Sequence, residues 1–286
     1  MTQTNTALSF VGIDVSKHKL DVARRPIAAR LQFANDADGI KSLIDTLKGW
    51  GPIFVVLEAT GGLERLVVAE LVSASIETAV VNPRQVRDFA RGVGKLAKTD
   101  PIDADVLARF AEVVRPAPSD KVPEKQRELQ ELVTRRQQLI AIRTAEMNRK
   151  GTALSKLARR SLEKMIKILN SQIAELDEAI AKLVRSDCDW RRKAELLKSV
   201  PGVGDITSCN LLASLPELGK LNRQQIAALA GLAPYNHDSG KLKGKRSIWG
   251  GRAEVRQALY MSALTAMRSN PLIRSFAKRL KATGKI

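Results

Sequence analysis

Cysteine and histidine are both scarce in this chain of 286 residues, with two of each. Cys188 and Cys209 belong to no CxxC pair and have no histidine beside them, which argues against a structural zinc site. His18 and His237 leave few places for a triad that uses histidine as its base. We interpret His18, although it is close to Asp14, as a polar residue on a hairpin. Any hydrolytic chemistry is therefore expected to use carboxylates and metal ions.

The sequence also lacks long apolar runs. No stretch approaches the roughly 18 consecutive apolar residues of a membrane span. The N-terminal residues MTQTNTALSF have neither the basic region nor the long apolar core of a signal peptide. We therefore expect a cytosolic protein without a membrane partner.

Positive charge is what the chain has in excess. It contains 48 Lys and Arg against 30 Asp and Glu, which gives a formal net charge of +18. A soluble protein this basic usually has a polyanionic partner, so nucleic acid is the first candidate. The length suits two domains and a connector, at about 100 to 200 residues per domain.

The N-terminal part has the pattern of a mixed α/β sheet. Alternating apolar and polar residues in 9–33 predict three consecutive antiparallel strands, and Asn35 is assigned as the N-cap of the first helix. The apolar, β-branched run at 53–57 predicts a strand buried on both faces in a parallel sheet. Strands in succession, then alternating with helices, indicate a mixed sheet. The later predicted elements are a helix at 63–73, a strand at 77–81, a short helix at 84–91 and a helix from Pro101.

After a proline-rich boundary at 115–123, the chain is helical from 124 to about 184. Apolar residues there step alternately by four and three, as in the a/d seam of a coiled coil. The earlier arm is weaker because Arg136 and Arg143 interrupt it, and Gly151 is a plausible break between the arms. We interpret the segment as a helical hairpin that folds on itself or pairs with a second subunit; an ordinary helical bundle is the alternative. The seam residues are Leu162, Ile166, Leu169, Ile173, Leu176, Ile180 and Leu183.

Four carboxylates are candidates for one site. Asp14 lies inside an apolar strand, where a charge is costly unless compensated, and Glu58 ends the second buried strand. Asp100 and Asp103 are three residues apart at the start of a helix and can share a face, whereas Asp105 points elsewhere. Converging carboxylates repel, and divalent cations are the usual resolution. Two Mg²⁺ ions at such a site can activate a nucleophile and stabilise the leaving oxygen of a phosphodiester.

Spacing alone leaves a second interpretation of Asp100 and Asp103. Acidic residues also stabilise a helix N-terminus without any metal. The basic residues Lys95, Lys98 and Arg109 suit a phosphate backbone near the same cleft, which favours the metal site.

The C-terminal part contains two candidate nucleic-acid elements. Residues 196–215 predict a helix, a Pro-Gly-Val-Gly turn and a second helix. This arrangement is similar to a helix-hairpin-helix element, in which Gly202 and Gly204 would present backbone N–H groups to a phosphate. A plain helical turn is the alternative. From Lys241 to the end there are twelve basic residues and one acid, Glu254, which indicates a bound phosphate backbone. The candidate side chains are Lys241, Lys243, Lys245, Arg246, Arg252 and Arg256.

Ser239 precedes Gly240 in a polar, glycine-rich loop, 235–252, with lysines close by. Ser-Gly is among the commonest loop dipeptides, so chemistry alone favours an ordinary turn.

A series of short motifs, in order over nearly the whole chain, resembles one family. It is similar to the DEDD transposases of insertion sequences, whose relatives include the Piv pilin-gene invertase and the bridge-RNA-guided recombinases. Individually the motifs are weak, and together they are specific. They are GIDVSK (12–17), LEATGG (57–62), KTDPIDA (98–104), VPGVG (200–204), LPELG (215–219), ALAGLAP (228–234), SG (239–240), GGR (250–252) and LYM (259–261).

The resemblance implies an RNase H-like (RuvC-like) catalytic domain at 1–118, a coiled-coil hairpin at 119–190 and a mainly α transposase domain at 191–286. It implies that Asp14, Glu58, Asp100 and Asp103 bind Mg²⁺ or Mn²⁺, and that Ser239 is a nucleophile that attaches to DNA. It further implies a homo-oligomer, dimer or tetramer, a structured guide RNA, and a place in the cytoplasm with the nucleoid. Family members usually continue past Gly284 and Lys285 into another helical segment, so we expect the last domain to be truncated.

Two other functions remain open. The first is a junction-resolving, RNase H-like nuclease that uses the four carboxylates with water as its nucleophile. The second is a non-catalytic nucleic-acid-binding protein, for which Asp14 and Glu58 would be dispensable.

Overall fold

The computed structural model describes residues 8–95, 100–119, 122–236, 238–239 and 244–284, with the backbone alone for 100–102. The chain divides into two compact units, Met1–Lys121 and Val122–Ile286. The helical hairpin and the C-terminal segment thus belong to one compact unit, and a division into three domains stays a prediction. No helix in the described ranges is long and apolar enough to cross a lipid bilayer.

The first unit is an α/β structure around one mixed sheet. The sheet order is β3-β2-β1-β4-β5, with β1, β2 and β3 antiparallel and β1, β4 and β5 parallel. The predicted antiparallel strands and the buried parallel strand are confirmed, and the arrangement agrees with an RNase H-like fold. The elements are β1 (Ser9–Val15), β2 (Lys19–Arg25), β3 (Ala29–Ala34), α1 (Ala37–Lys48), β4 (Ile53–Glu58), α2 (Arg65–Ser73), β5 (Glu77–Val81), α3 (Pro83–Gly92) and α4 (Asp100–Val114).

The first helix starts one residue later than the sequence predicts. The side chain of Asp36 accepts a hydrogen bond from the N–H of Gly39 at 2.8 Å and is the N-cap. The side-chain amide of Asn35 instead donates to the carbonyl of Ser16 at 2.8 Å. Asp and Asn are equally good N-caps, so the pattern did not separate the two neighbours, and the assignment of Asn35 was wrong.

The two faces of the sheet are covered by different helices. Alternate residues of a strand point to opposite faces. In β1, Val11 and Ile13 pack in the apolar cluster with α1 and α2, whereas Phe10 packs with residues of α3 and α4. Asp14 has the same parity as Phe10 and therefore lies on the face that α4 covers.

Helix α4 rests directly on the backbone of β1 at Gly12. A Cβ atom there would lie 2.2 Å from the carbonyl oxygen of Ala104 and 2.3 Å from the amide nitrogen of Ala108. No residue larger than glycine fits without moving the helix. This contact fixes the start of α4 against the strand that carries Asp14.

The second unit is mainly helical. In its described residues, α5 and α6 form a long hairpin, and a short ribbon, β6 paired antiparallel with β7, precedes two further helices. The hairpin bends at 153–155, just after the predicted break at Gly151; the ribbon and α11 were not predicted. The elements are α5 (Glu124–Thr152), α6 (Lys156–Ser186), α7 (Cys188–Lys198), α8 (Asp205–Ser214), α9 (Arg223–Leu229), β6 (Pro234–Tyr235), β7 (Ser247–Ile248), α10 (Ala253–Ser269) and α11 (Pro271–Ala282).

The two arginines that interrupt the seam of α5 have polar partners on α6. Arg136 is buried and forms an ion pair with Asp177. Nη1 of Arg143 donates to the side-chain oxygen of Asn170 at 3.1 Å. A buried charge is tolerated when it is paired, so Arg136 is compatible with the hairpin, whereas Nε of Arg143 is buried without a hydrogen-bond partner in the described part of the chain.

The start of α5 is attached to the end of α8 through Gln126. This side chain is buried, and its amide donates to the carbonyl oxygens of Leu212 at 3.0 Å and Ala213 at 3.1 Å. The last carbonyls of a helix have no partner within it, so Gln126 supplies donors that α8 lacks.

Candidate functional site

Two of the four candidate carboxylates are neighbours on one sheet face. Asp14 in β1 and Glu58 at the end of β4 are both half-buried. The parallel strands pair Ile13 with Leu57, and one residue further this register sets Asp14 level with Glu58. Adjacent strands lie about 4.8 Å apart, so the Asp14 and Glu58 side chains are neighbours at the C-terminal ends of their two strands.

Helix α4 brings the third carboxylate to the same face. Asp103 is half-buried and immediately precedes Ala104, the residue that contacts Gly12. Asp100 begins the helix, and its side chain lies outside the described residues. The predicted position of both residues at the start of one helix is confirmed, and a shared face for their side chains stays a prediction.

The donor set suits a hard divalent cation, because all four candidates are carboxylates. Among the side chains that the structure describes, no three carboxylate, imidazole or thiol groups lie close enough together to hold a metal ion. The described side chains therefore do not form a metal site by themselves, and the side chain of Asp100 lies outside the described residues.

Asp21 is a further carboxylate at this place, and the sequence pattern did not reveal it. Its backbone pairs directly opposite Asp14, so both side chains lie on the same sheet face. Asp21 is buried, accepts a hydrogen bond from Gln32 at 2.8 Å and has the Lys19 ammonium 3.1 Å from Oδ2. The signal was present as a lone Asp in the alternating run KLDVARR, where the pattern alone expects an exposed residue.

Glu64 organises the loop that follows Glu58. Its carboxylate accepts hydrogen bonds from the N–H and hydroxyl of Thr60, at 3.1 and 3.0 Å, and from the N–H of Gly62 at 2.9 Å. Burial acts to raise the pKa of Glu64, but backbone N–H groups of Glu64, Thr60 and Gly62 outweigh it and hold the pKa below the ordinary 4.5. The carboxylate therefore stays charged and holds the loop beside the candidate site.

Asp105 lies apart from this group. The guanidinium of Arg25 is 3.9 Å from Asp105 and also donates to Glu112 at 2.8 Å. The prediction that Asp105 points away from Asp103 is confirmed.

In the second unit, Ser239 is exposed on the connection between the two strands of the ribbon. The N–H of Gly244 donates to the side chain of Asp238 at 3.1 Å, which closes the base of this connection. Lys245 and Arg246 follow and are exposed. Lys241 and Lys243 lie outside the described residues.

Two of the short motifs meet at a contact between glycines. Gly251 of GGR and Gly231 of ALAGLAP both have positive φ, and a Cβ on Gly251 would lie 2.1 Å from the amide nitrogen of Gly231. Arg256 donates to the carbonyl of Gly250 at 2.9 Å and to that of Ala230 at 3.3 Å. The close approach explains why both motifs carry glycine.

Arg252 is engaged inside the unit. Its guanidinium makes a bidentate ion pair with Glu217, at 2.7 and 2.6 Å, and donates to the carbonyl of Ser214 at 2.9 Å. The hydrogen bonds from Arg252 hold the pKa of Glu217 below 4.5. Together with the contacts of Arg256, this pair holds the start of α10 against the ends of α8 and α9. A role of either arginine on DNA stays a prediction.

The predicted phosphate-binding turn is present as a connection between α7 and α8. Gly202 has positive φ and packs on α10, since a Cβ would lie 2.6 Å from that of Ala266. Gly204 is the exposed N-cap of α8 and has open space around it. Asp205 follows and pairs with Lys198 at 2.8 Å. Gly202 thus has a packing role, and phosphate binding by this turn stays a prediction.

Comparison with known proteins gives matches over most of the chain. A family model described as a transposase, the DEDD type of the IS110 group, matches residues 11–158. A second model, described as transposase of the IS116/IS110/IS902 family, matches residues 194–278. The chain belongs to this family of DEDD transposases, which are DNA recombinases.

Individual relatives agree with these matches. The pilin gene-inverting protein of Moraxella bovis is 27% identical over 291 residues, covering 97% of this chain and 89% of the relative. The transposase for insertion sequence element IS1111A of Coxiella burnetii is 26% identical, covering 65% of this chain and 58% of the relative. An uncharacterised 42 kDa protein of insertion element IS900 of Mycobacterium paratuberculosis is 33% identical over 128 residues, covering 43% of this chain and 31% of the relative.

Proposed function

We propose that this chain cuts and rejoins DNA at the ends of an insertion sequence, using a divalent-metal site on the first unit and Ser239 as the nucleophile. The observation that carries the proposal is the set of Asp14, Glu58 and Asp103 on the sheet face under α4. All three side chains are carboxylates, the ligand class that hard divalent cations prefer, and all three are half-buried.

The metal site would be formed by Asp14, Glu58, Asp100 and Asp103. Their oxygens are the ligands that Mg²⁺ and Mn²⁺ prefer. When bound, such ions stabilise negative charge on the oxygens of a phosphodiester. The role of the protein is to hold the carboxylates at fixed positions, which the contact of Gly12 with α4 and the Glu64 loop support.

The covalent step assigned to Ser239 conserves the number of phosphoester bonds. Its Oγ would form a bond to the scissile phosphorus while the bond to the leaving sugar oxygen breaks, and the hydroxyl proton passes to that oxygen or to solvent. A DNA hydroxyl then displaces the serine in the reverse sense. Exposure of Ser239 on the ribbon supports access by a large substrate.

Two partners belong to the same proposal. A homo-oligomer, dimer or tetramer, would allow the carboxylates of one subunit to act with the serine of another. A structured RNA would select the DNA to be joined. Both rest on the family resemblance, and size-exclusion chromatography with light scattering, with and without flanking RNA, tests them.

The covalent intermediate provides the test of the catalytic roles. The protein is incubated with Mg²⁺ and DNA that carries the junction of the element, with and without RNA from its flank, and run on a denaturing gel. We expect a protein–DNA species that is lost in Ser239→Ala and in Asp14→Asn. Cleavage that persists in Ser239→Ala without such a species would identify a nuclease that uses water.

A further inference from the structure

The basic charge of the α5–α6 hairpin is concentrated at its tip. Residues 143–167, which surround the bend, contain eight basic and two acidic residues, a net charge of +6. The rest of the hairpin, 124–142 and 168–186, contains six of each and is neutral. The excess positive charge of this arm therefore lies at the end away from α8.

The two acidic residues at the tip are already paired. Glu146 pairs with Arg149, and Glu163 pairs with Lys150 at 2.9 Å. The remaining basic side chains on the tip half of α6 are exposed, and none has an ion-pair partner within the described part of the chain. These residues are Lys156, Arg159, Arg160, Lys164 and Lys167.

Four of them form a stripe along α6. Lys156, Arg160, Lys164 and Lys167 are spaced by four, four and three residues, so at 100° per residue they fall within about 80° of one another. The stripe is about 16 Å long, at 1.5 Å of rise per residue. The buried residues of α6, such as Leu169, lie on another face. We call these four residues the cationic stripe.

The arrangement is unfavourable for an isolated helix. Like charges four residues apart destabilise a helix by about 0.2 to 0.5 kcal/mol per pair. Lys156 with Arg160 and Arg160 with Lys164 are two such pairs, and the nearest acidic residue on the helix, Glu163, is already paired with Lys150. A polyanion bound along the stripe would relieve this repulsion.

We propose that the cationic stripe binds the phosphate backbone of duplex DNA without reading its sequence. The hairpin, 124–186, contains no Phe, Trp or Tyr. Proteins that hold unstacked single strands use aromatic side chains as stacking platforms, so the composition favours a duplex backbone. The inference rests on the proposed function only in taking DNA as the substrate.

The test compares two variants with equal loss of charge. The stripe variant carries Lys156→Gln, Arg160→Gln, Lys164→Gln and Lys167→Gln. The control carries Lys125→Gln, Arg127→Gln, Lys182→Gln and Arg185→Gln, four exposed residues at the other end of the hairpin. Because all eight residues are exposed, both variants are expected to fold, which circular dichroism and thermal unfolding verify.

Affinity for a DNA duplex of unrelated sequence is measured by fluorescence anisotropy over a range of salt concentrations in EDTA. Four lost phosphate contacts lower the slope of log K against log salt by about 3 to 4, since each contributes about 0.9. We expect this decrease in the stripe variant and little change in the control. Equal slopes for the two variants would overturn the proposal.

Two further binding measurements distinguish duplex DNA from other polyanions. Single-stranded RNA and vesicles of anionic lipid are tested with the same pair of variants, because the exposed Leu154 and Leu157 beside the stripe also suit a lipid surface. A stripe effect confined to RNA or to vesicles would refute duplex DNA as the partner. The binding assay contains EDTA, so its result does not depend on divalent metal. The proposed metal site is tested separately with Asp14→Asn, and its failure would leave the binding result unchanged.

Discussion

Replacement of Gly12 by alanine tests whether the strand and helix α4 are held in direct backbone contact. The added Cβ would lie 2.2 Å from the Ala104 carbonyl oxygen, whereas ordinary contact begins at 3.4 Å, so a shift of about 1.2 Å is required. The atoms in the way belong to the backbone of α4, and no side-chain rotation relieves the clash. Overpacking of this kind costs about 3 kcal/mol.

Urea unfolding of the first unit, followed by circular dichroism, measures this cost. With an m value of about 2 kcal/mol/M, we expect the midpoint to fall by about 1.5 M. The matched control is Gly92→Ala in α3, where a Cβ meets open space. Alanine stabilises a helix by up to about 1 kcal/mol relative to glycine, so its midpoint should stay or rise. An unchanged midpoint in Gly12→Ala would refute the direct contact.

Three further predictions concern the second unit. Glu217→Gln should destabilise the protein at neutral pH, because the variant loses the ion pair with Arg252. Since Arg252 lowers the pKa of Glu217, the difference in stability from wild type should vanish as pH falls below 4.5 and through the folded pKa. Unfolding at several pH values measures this difference. Gly251→Ala should cost about 3 kcal/mol in urea unfolding, because its Cβ would meet the Gly231 backbone at positive φ. Asp177→Asn should lower the free energy of unfolding by about 1 to 3 kcal/mol, because it leaves the buried Arg136 without its carboxylate. The double variant that also carries Arg136→Met should recover most of this loss, as measured by calorimetry.

Each of these has an outcome that contradicts it. A pH-independent effect of Glu217→Gln would mean that the carboxylate does not depend on its ion pair. Wild-type stability in Gly251→Ala would remove the reason given for the glycines of both motifs. If the double variant at 136 and 177 were less stable than Asp177→Asn alone, the arginine would have a packing role that methionine does not fill.

Periodicity predicted the order and type of most elements. The alternating run at 9–33 and the apolar run at 53–57 became β1 to β4, because burial on one or both faces leaves a clear trace in composition. The ribbon of β6 and β7 was missed, since two residues per strand carry no periodic signal. The helix α11 was also missed, and none of its residues is buried.

The candidate site was predicted less completely than the fold. Asp14 and Glu58 were found because a carboxylate in an apolar strand is unusual, whereas Asp21 was not, since its strand alternates polar and apolar residues. The partners of Arg136 and Arg252 are distant in sequence, at 177 and 217. Spacing along the chain contains no information on such pairs, so both arginines were first interpreted from their charge alone.

The length of the hairpin gives its attachment a mechanical consequence. Helices of 29 and 31 residues extend about 45 Å at 1.5 Å per residue. The base of the hairpin is held against α8 from Gln126, which donates to the carbonyls of Leu212 and Ala213, to Gln137, which donates to the side-chain oxygen of Asn210 at 3.2 Å. Beyond Gln137 the first arm extends about 23 Å to its end at Thr152, at 1.5 Å per residue. A rotation of about 10° at the last of these contacts would move the far end by about 4 Å, given that length.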